Sequence, residues 1–319
     1  MPPAHGLPSY DDLPVRAGAP AGASWGVWDD DRLGCLNLLT PERALAGIAC
    51  ARRGRVFPLD LDLAEPDPPL FGRRSPVHEV LPRTALSSDD QVLFNTQTST
   101  QWDGFRHERS PVHGAYGGLP EGEHSIDRWA QRGIVGRGVL LDVARHRPVD
   151  AAASDPITVE DLEATMAAQG VAVEVGDVLL VRTGWLSWYR GVDDSTRAAL
   201  PGSLRAPGLA RGEAMVRFLW DLHVAAVAAD NPALEQYPMA RPTDDLANHP
   251  ELADPAASAA VSLHWNLLPL LGLPLGELFD LDALAADCAA EGTWDCLFTS
   301  APLHLRAGVA TPPNALAIR

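Results

Sequence analysis

Apolar positions fall in short alternations early in the chain and in compact runs later. Val56 to Leu63 alternates apolar and polar residues, which is the period of a half-buried strand. Gln91-Val92-Leu93-Phe94-Asn95 predicts a further strand, and the proline-bearing stretch 64–90 before it reads as loop. Gly138–Val143, Asp177–Arg182 and Val224–Asp230 are continuous apolar runs of strand length, and Trp294–Thr299 reads as the final strand. Thr40-Pro41 starts a helix with an N-cap residue and a proline at the first helical position. Leu45, Ile48 and Ala49 give it an apolar stripe and Gly54 ends it. Thr158-Val159-Glu160-Asp161 resembles a capping box, so a helix should run from there to Gly170. Helical spacing returns at Gly212–Leu222, near 257–271 and near 281–290.

Strands and helices thus alternate through the second half, which predicts an α/β or mixed α+β fold. No internal repeat and no Ser/Gly linker divides the chain, so one domain is expected from about residue 25 to 319. Residues 1–24 are rich in Pro, Gly and Ala without periodicity and read as a flexible arm. With 319 residues, 46% of them hydrophobic, the chain is long enough to bury a large core. The net charge of -17 argues against partnership with nucleic acid or an anionic membrane surface. Four cysteines form no Cys-x-x-Cys pair, and Met-Pro-Pro-Ala-His-Gly lacks the basic and apolar regions of a signal peptide. No uncharged apolar run reaches transmembrane length. These features predict a cytoplasmic protein with reduced thiols.

The candidate chemistry is concentrated in Gln97-Thr98-Ser99-Thr100-Gln101-Trp102-Asp103-Gly104-Phe105-Arg106-His107. Polar or ionisable groups stand at 97, 99, 101, 103 and 107, and an extended backbone would aim all of them the same way. Thr100, Trp102 and Phe105 lie among them, and Trp102 also reads as a core residue. His113 follows, and Asp230, Asn231 and Glu235 sit where an apolar strand ends, a common place for chemistry in α/β folds. We take these seven as candidate substrate contacts, with a simple turn as the alternative for Asp230-Asn231. His264 lies among leucines and Glu277 near Gly276, where a core histidine and a helix-entry carboxylate are equally ordinary roles. Gly-x-Gly-x-x-Gly, the P-loop, Gly-x-Ser-x-Gly and His-Glu-x-x-His are all absent, so no nucleotide cofactor is expected.

Many ordered segments give the chain a resemblance to the putative cyclase family, whose relatives include bacterial kynurenine formamidase and isatin hydrolase. They include Trp25-Gly26-Val27-Trp28, Leu36-Asn37-Leu38-Leu39-Thr40-Pro41, Gln101-Trp102-Asp103-Gly104, Gly176-Asp177-Val178-Leu179, Ala229-Asp230-Asn231, Leu263-His264 and Gly276-Glu277-Leu278. The resemblance implies a swivelling β/β/α fold, a homo-oligomer (dimer or tetramer), and a site built on His-x-Gly-Thr-His-x-Asp-x-Pro-x-His. By that pattern Asp103 matches a metal-binding aspartate, Thr100 the threonine, His107 the acid–base histidine, and His264 with Glu277 a later ligand pair. Here Gln97 and Gln101 replace the two ligand histidines, Ser99 the glycine and Phe105 the proline. Glutamine carbonyls are weak ligands for zinc. One divalent ion, zinc or manganese, on Asp103, His264 and Glu277 therefore stands beside a metal-free site as an open alternative.

Three functions follow. In the first, an enzyme acts at a carbonyl of a small molecule by cyclisation, dehydration or ring opening. His107 moves the proton, Gln97, Ser99 and Gln101 polarise the substrate oxygen, and Asp103 orients His107. The second is a metal-dependent amidohydrolase or lactonase such as a formamidase. The third is a non-catalytic relative that binds a small ligand.

Overall fold

The computed structural model describes residues 6–120 and 122–319. Its strands are β1 (Val56–Pro58), β2 (Val77–Thr84), β3 (Ser87–Leu93), β4 (Gln101–Asp103), β5 (Ile134–Asp142), β6 (Pro156–Ile157) and β7 (Val178–Arg182). They continue as β8 (Gly208–Leu209), β9 (Ala226–Ala229), β10 (Leu275–Glu277), β11 (Asp295–Ser300), β12 (Ala310–Thr311) and β13 (Ala315–Ile318). Nine of them form one curled mixed sheet in the order β1-β13-β11-β5-β7-β9-β10-β4-β12. The fold is mixed α+β, as the alternation of elements predicts.

Its centre is the parallel trio β5, β7 and β9. Parallel neighbours need long crossovers, which the helices Val159–Gln169 and Glu213–Asp221 supply. The first has the expected boundaries: Thr158 Oγ1 accepts from Asp161 N at 3.2 Å, Asp161 accepts from Thr158 N at 2.9 Å, and Gly170 closes the helix in the left-handed region. The apolar runs become strands because both sheet faces are covered, and every residue of β9 is buried. All four cysteines are buried and free. No helix among the described residues is long and apolar enough to cross a membrane.

Several local expectations change. The stripe on helix Pro41–Ile48 faces outward, with Leu45 65% exposed. The helix packs through Gly47 instead, where a Cβ would come within 2.3 Å of the Gly136 carbonyl oxygen. The helix also stops at Ile48 rather than Gly54, and the strand expected over Val56–Leu63 is only β1. The stretch taken as loop holds β2 and most of β3, an antiparallel hairpin exposed along nearly its whole length. With neither face buried, nothing imposes a period-two pattern on its sequence. Trp294–Thr299 corresponds to β11, but β12 and β13 follow it. Residues 1–5 of the expected arm lie outside the described residues. Within residues 6–24, Tyr10 and Ala23 are buried, Tyr10 N donates to Asp221 at 2.7 Å, and Ser24 N donates to the Leu270 carbonyl at 3.0 Å.

Strand β4 positions the chemistry. It lies between β10 and β12, antiparallel to both, with Gln101 paired to Glu277 and Asp103 to Leu275. Gln101 and Asp103 share one face of this strand. Trp102 faces the other way and packs edge-on against Phe279 at 5.0 Å.

Candidate active site

Four segments far apart in sequence meet at the β4 face. The first is Gln97 to His107, only part of which is extended: 101–103 is strand and the residues before it turn. Gln97 Nε2 donates to Asp103 Oδ1 at 2.7 Å and lies 2.9 Å from His107 Nδ1 and 3.4 Å from its Nε2. The register of β4 on β10 sets Gln101 against Glu277, and Gln101 Nε2 donates to Glu277 Oε2 at 2.5 Å. The third segment opens the short helix His264–Leu267. His264 Nε2 lies 3.2 Å from Glu277 Oε1, and its Nδ1 lies 2.7 Å from Glu235 Oε1. Glu235, on the loop after β9, also accepts from Ser262 Oγ and from the Leu263 and His264 backbone N–H groups. This anchors His264 from both ring and backbone.

A cavity of about 370 Å³ opens on this network. His107, His264 and Glu277 reach its wall, together with Phe71, Arg73, Tyr237 and Met239. Glu108 and Arg241 also line it and pair at 2.9 Å. His107 keeps 22% of its side-chain surface exposed, whereas the Asp103 side chain is fully buried. Sequence reasoning missed Phe71, Arg73, Glu108, Tyr237, Met239 and Arg241. Arg73 and Phe71 precede the exposed hairpin in a stretch with no motif, so only tertiary structure brings them here.

Burial governs the titrations. It would raise the Asp103 carboxyl, but the His107 and His264 imidazoles outweigh it and hold the group at about 2. Glu277 is pushed up to about 7 by burial, with the Asp103 charge adding to the effect. Burial also pulls His107 below its ordinary value, only partly opposed by Asp103. For His264, burial is outweighed by the facing carboxylates of Asp103, Glu235 and Glu277, so its pKa lies well above the usual range. At neutral pH the site therefore holds a neutral imidazole at the cavity wall and an imidazolium behind it.

Other candidate residues are placed away from the cavity. Ser99 Oγ donates to the Asp62 carbonyl at 2.7 Å, so it polarises no substrate oxygen. Thr100 Oγ1 bridges Leu61 N and the Leu278 carbonyl. Trp102 is core, with Nε1 donating to Ser300 Oγ at 3.0 Å, and Phe105 packs between Tyr116 and Trp129. The His113 ring meets the Ala253 carbonyl at 3.2 Å. Asp230 accepts from Thr183 N, Thr183 Oγ1 and Gly184 N, tying β9 to the turn after β7. Asn231 Nδ2 donates to Pro207 O at 2.7 Å. Substrate contact is thus withdrawn for Thr100, Trp102, Phe105, His113, Asp230 and Asn231, because their polar or aromatic groups are used inside the scaffold. Glu235 serves His264 rather than the cavity.

The residues fit a divalent cation. Asp103 Oδ2 is buried without a hydrogen-bond partner and lies 3.7 Å from His107 Nε2 and 3.8 Å from His264 Nε2. One ligand atom from each of these three residues falls within 4.8 Å of the others. The converging set has His107 where Glu277 was expected. Carboxylate and imidazole donors suit zinc or manganese.

Residues 37–236 match the family model described as Putative cyclase. The chain belongs to this family. That membership makes it an enzyme. A solved structure described as a novel cyclase is 29% identical, with a TM-score of 0.79, and the match covers 93% of this chain and 99% of that one. Isatin hydrolase A from Labrenzia aggregata is 18% identical over 86% of this chain and 97% of its own, with a TM-score of 0.59. Its counterpart from Ralstonia solanacearum is 19% identical over 87% and 97%, also at 0.59. At that identity the two hydrolases share the fold with this chain. No curated protein gives a significant match.

Proposed function

We propose that this cyclase-family enzyme opens or closes a ring at the carbonyl of a small molecule, with His107 as the proton-transferring group. The observation that carries the reading is the position of His107. It is partly exposed at the cavity wall, 3.7 Å from the buried Asp103 carboxylate and 2.9 Å from the Gln97 amide. A neutral imidazole with a carboxylate behind it can accept a proton from water and return it to a leaving atom. Asp103 steadies the imidazolium formed in between; Gln97 Nε2 holds Asp103 Oδ1 and caps His107 Nδ1, and the ring releases that N–H as it takes the proton. Addition of water to a cyclic ester or amide and expulsion of the ring heteroatom gives ring opening. The same path in reverse gives cyclisation with loss of water.

The test is turnover of a panel holding a lactone, a cyclic imide, isatin and an aryl formamide, by the intact chain and by His107→Gln. Loss of about 10²–10⁴-fold in the variant is expected. A variant as active as the parent on its best substrate would sink the acid–base role.

The orphaned Asp103 Oδ2 favours a second reading, a metal-dependent hydrolase in which Asp103, His107 and His264 hold the ion. A bound divalent ion supplies Lewis-acid polarisation of a carbonyl. Here His107 serves as a ligand, and Glu235 and Gln97 orient the imidazoles. Activity that survives exhaustive chelation separates the first reading from this one.

The assembly we propose is a homo-oligomer, dimer or tetramer. Its support is the β2–β3 hairpin, which exposes Val77, Val80, Leu93 and the fully open Leu86. A two-stranded hairpin is marginal in water by itself, and a second copy would cover it.

A further inference from the structure

Arg73 lines the cavity and forms no ion pair among the described residues. Arg241, across the same cavity, is neutralised by Glu108 at 2.9 Å. Among the described residues no carboxylate lies within ion-pair distance of Arg73. Two oxygens hold it instead: its Nη1 donates to the Gln97 carbonyl and lies 3.4 Å from Gln101 Oε1. Its guanidinium carbon also stands 4.9 Å from the centre of the Phe71 ring. The Gln101 amide has a defined direction, since its Nε2 donates to Glu277 at 2.5 Å. The amide carbonyl must then face Arg73, because the reverse orientation would set N–H against N–H and oxygen against oxygen. A guanidinium has five N–H donors. The contacts to Gln97 and Gln101 use Nη1 alone and leave Nε–H and the Nη2 group for a ligand.

The buried Asp103 and Glu277 carboxyls act on this cation from beyond contact distance, while its hydrogen bonds go to neutral oxygens. Its remaining donors can take negative charge as it develops on a ligand. We propose that Arg73 is the oxyanion-binding group of this cavity, taking the carbonyl oxygen of the substrate as it becomes negative. The proposal rests on the carbonyl chemistry given above. In that step the oxygen of water bonds to the carbonyl carbon and its proton passes to His107. The carbonyl π pair moves onto oxygen, which accepts from Arg73. Collapse restores the carbonyl and breaks the bond to the ring nitrogen or oxygen, which takes the proton from His107.

Calorimetric titration of the intact, chelator-treated chain with benzoate and with its neutral isostere benzamide tests the assignment. Benzoate should bind at least about tenfold more tightly, the effect of one charge-assisted hydrogen bond. Arg73→Gln should abolish that preference, and Arg73→Lys should retain only part of it. If Arg73→Gln does not fold, Arg73→Lys alone decides, since it keeps the charge and loses the planar fork. Equal affinities in the parent, binding of neither probe, or an undiminished preference in the folded variants overturns the proposal. His107→Gln separates the two readings. An inactive His107→Gln protein that still prefers benzoate supports both. An active one removes the acid–base role of His107 and leaves that of Arg73 standing on the benzoate result.

Discussion

Glu235 holds His264 twice, accepting from its backbone N at 3.2 Å and facing its Nδ1 at 2.7 Å. The two residues are 29 apart in sequence, and both are buried. Glu235→Gln keeps the shape and removes the charge, so the His264 pKa should fall. Activity should drop by about 10–100-fold, the usual cost of losing a group that orients a site histidine. NMR titration of the His264 ring reads the first effect, and an unchanged pKa would contradict the assignment of Glu235 as its positioning residue.

The pH profile should report His107. Because burial lowers its pKa, the neutral, proton-accepting form persists to lower pH than for a free imidazole. The acid limb of kcat/KM should therefore fall below about 6.5. A limb above that value would show that the neutral form is not the working one.

Restoring histidines at two positions probes the metal question. The double change Gln97→His with Gln101→His adds two imidazoles beside Asp103. Zinc affinity, measured by competition with a chelating dye, should rise by at least about tenfold. Asp103→Asn should reduce it in either background.

Asp230 should act through stability. Asp230→Ala leaves Thr183 N, Thr183 Oγ1 and Gly184 N without their buried acceptor. Loss of about 2–4 kcal/mol in denaturant unfolding is expected. The folded fraction should still bind benzoate like the parent.

Replacing residues 77–93 by a short turn should lower the oligomeric state. Sedimentation at several concentrations would read this, and an unchanged assembly would exclude the hairpin as the contact.

Much of the scaffold was legible in the sequence. Thr158 to Asp161 announced a helix start because capping joins residues three apart, and the apolar runs announced β5, β7 and β9 because burial on both faces suits unbroken Val, Leu and Ala. The clustering of Gln97, Gln101, Asp103 and His107 could be read from their close spacing, but not that the two amides, expected on a substrate oxygen, face Asp103, His107, Glu277 and Arg73. The outward stripe of Leu45 and Ile48 could not, because helical period does not say which face meets the sheet.

By itself, then, the sequence determined the mixed α+β class, the family, and a motif with amides at two positions where its relatives' pattern has imidazoles. Tertiary structure alone decided which polar groups work at the cavity and which are used in the scaffold. Gln101 meets Glu277 because two short strands pair in one register, and Arg73 reaches both glutamines across a turn. Such contacts arise from pairing and burial between distant segments, and local propensity carries no record of them.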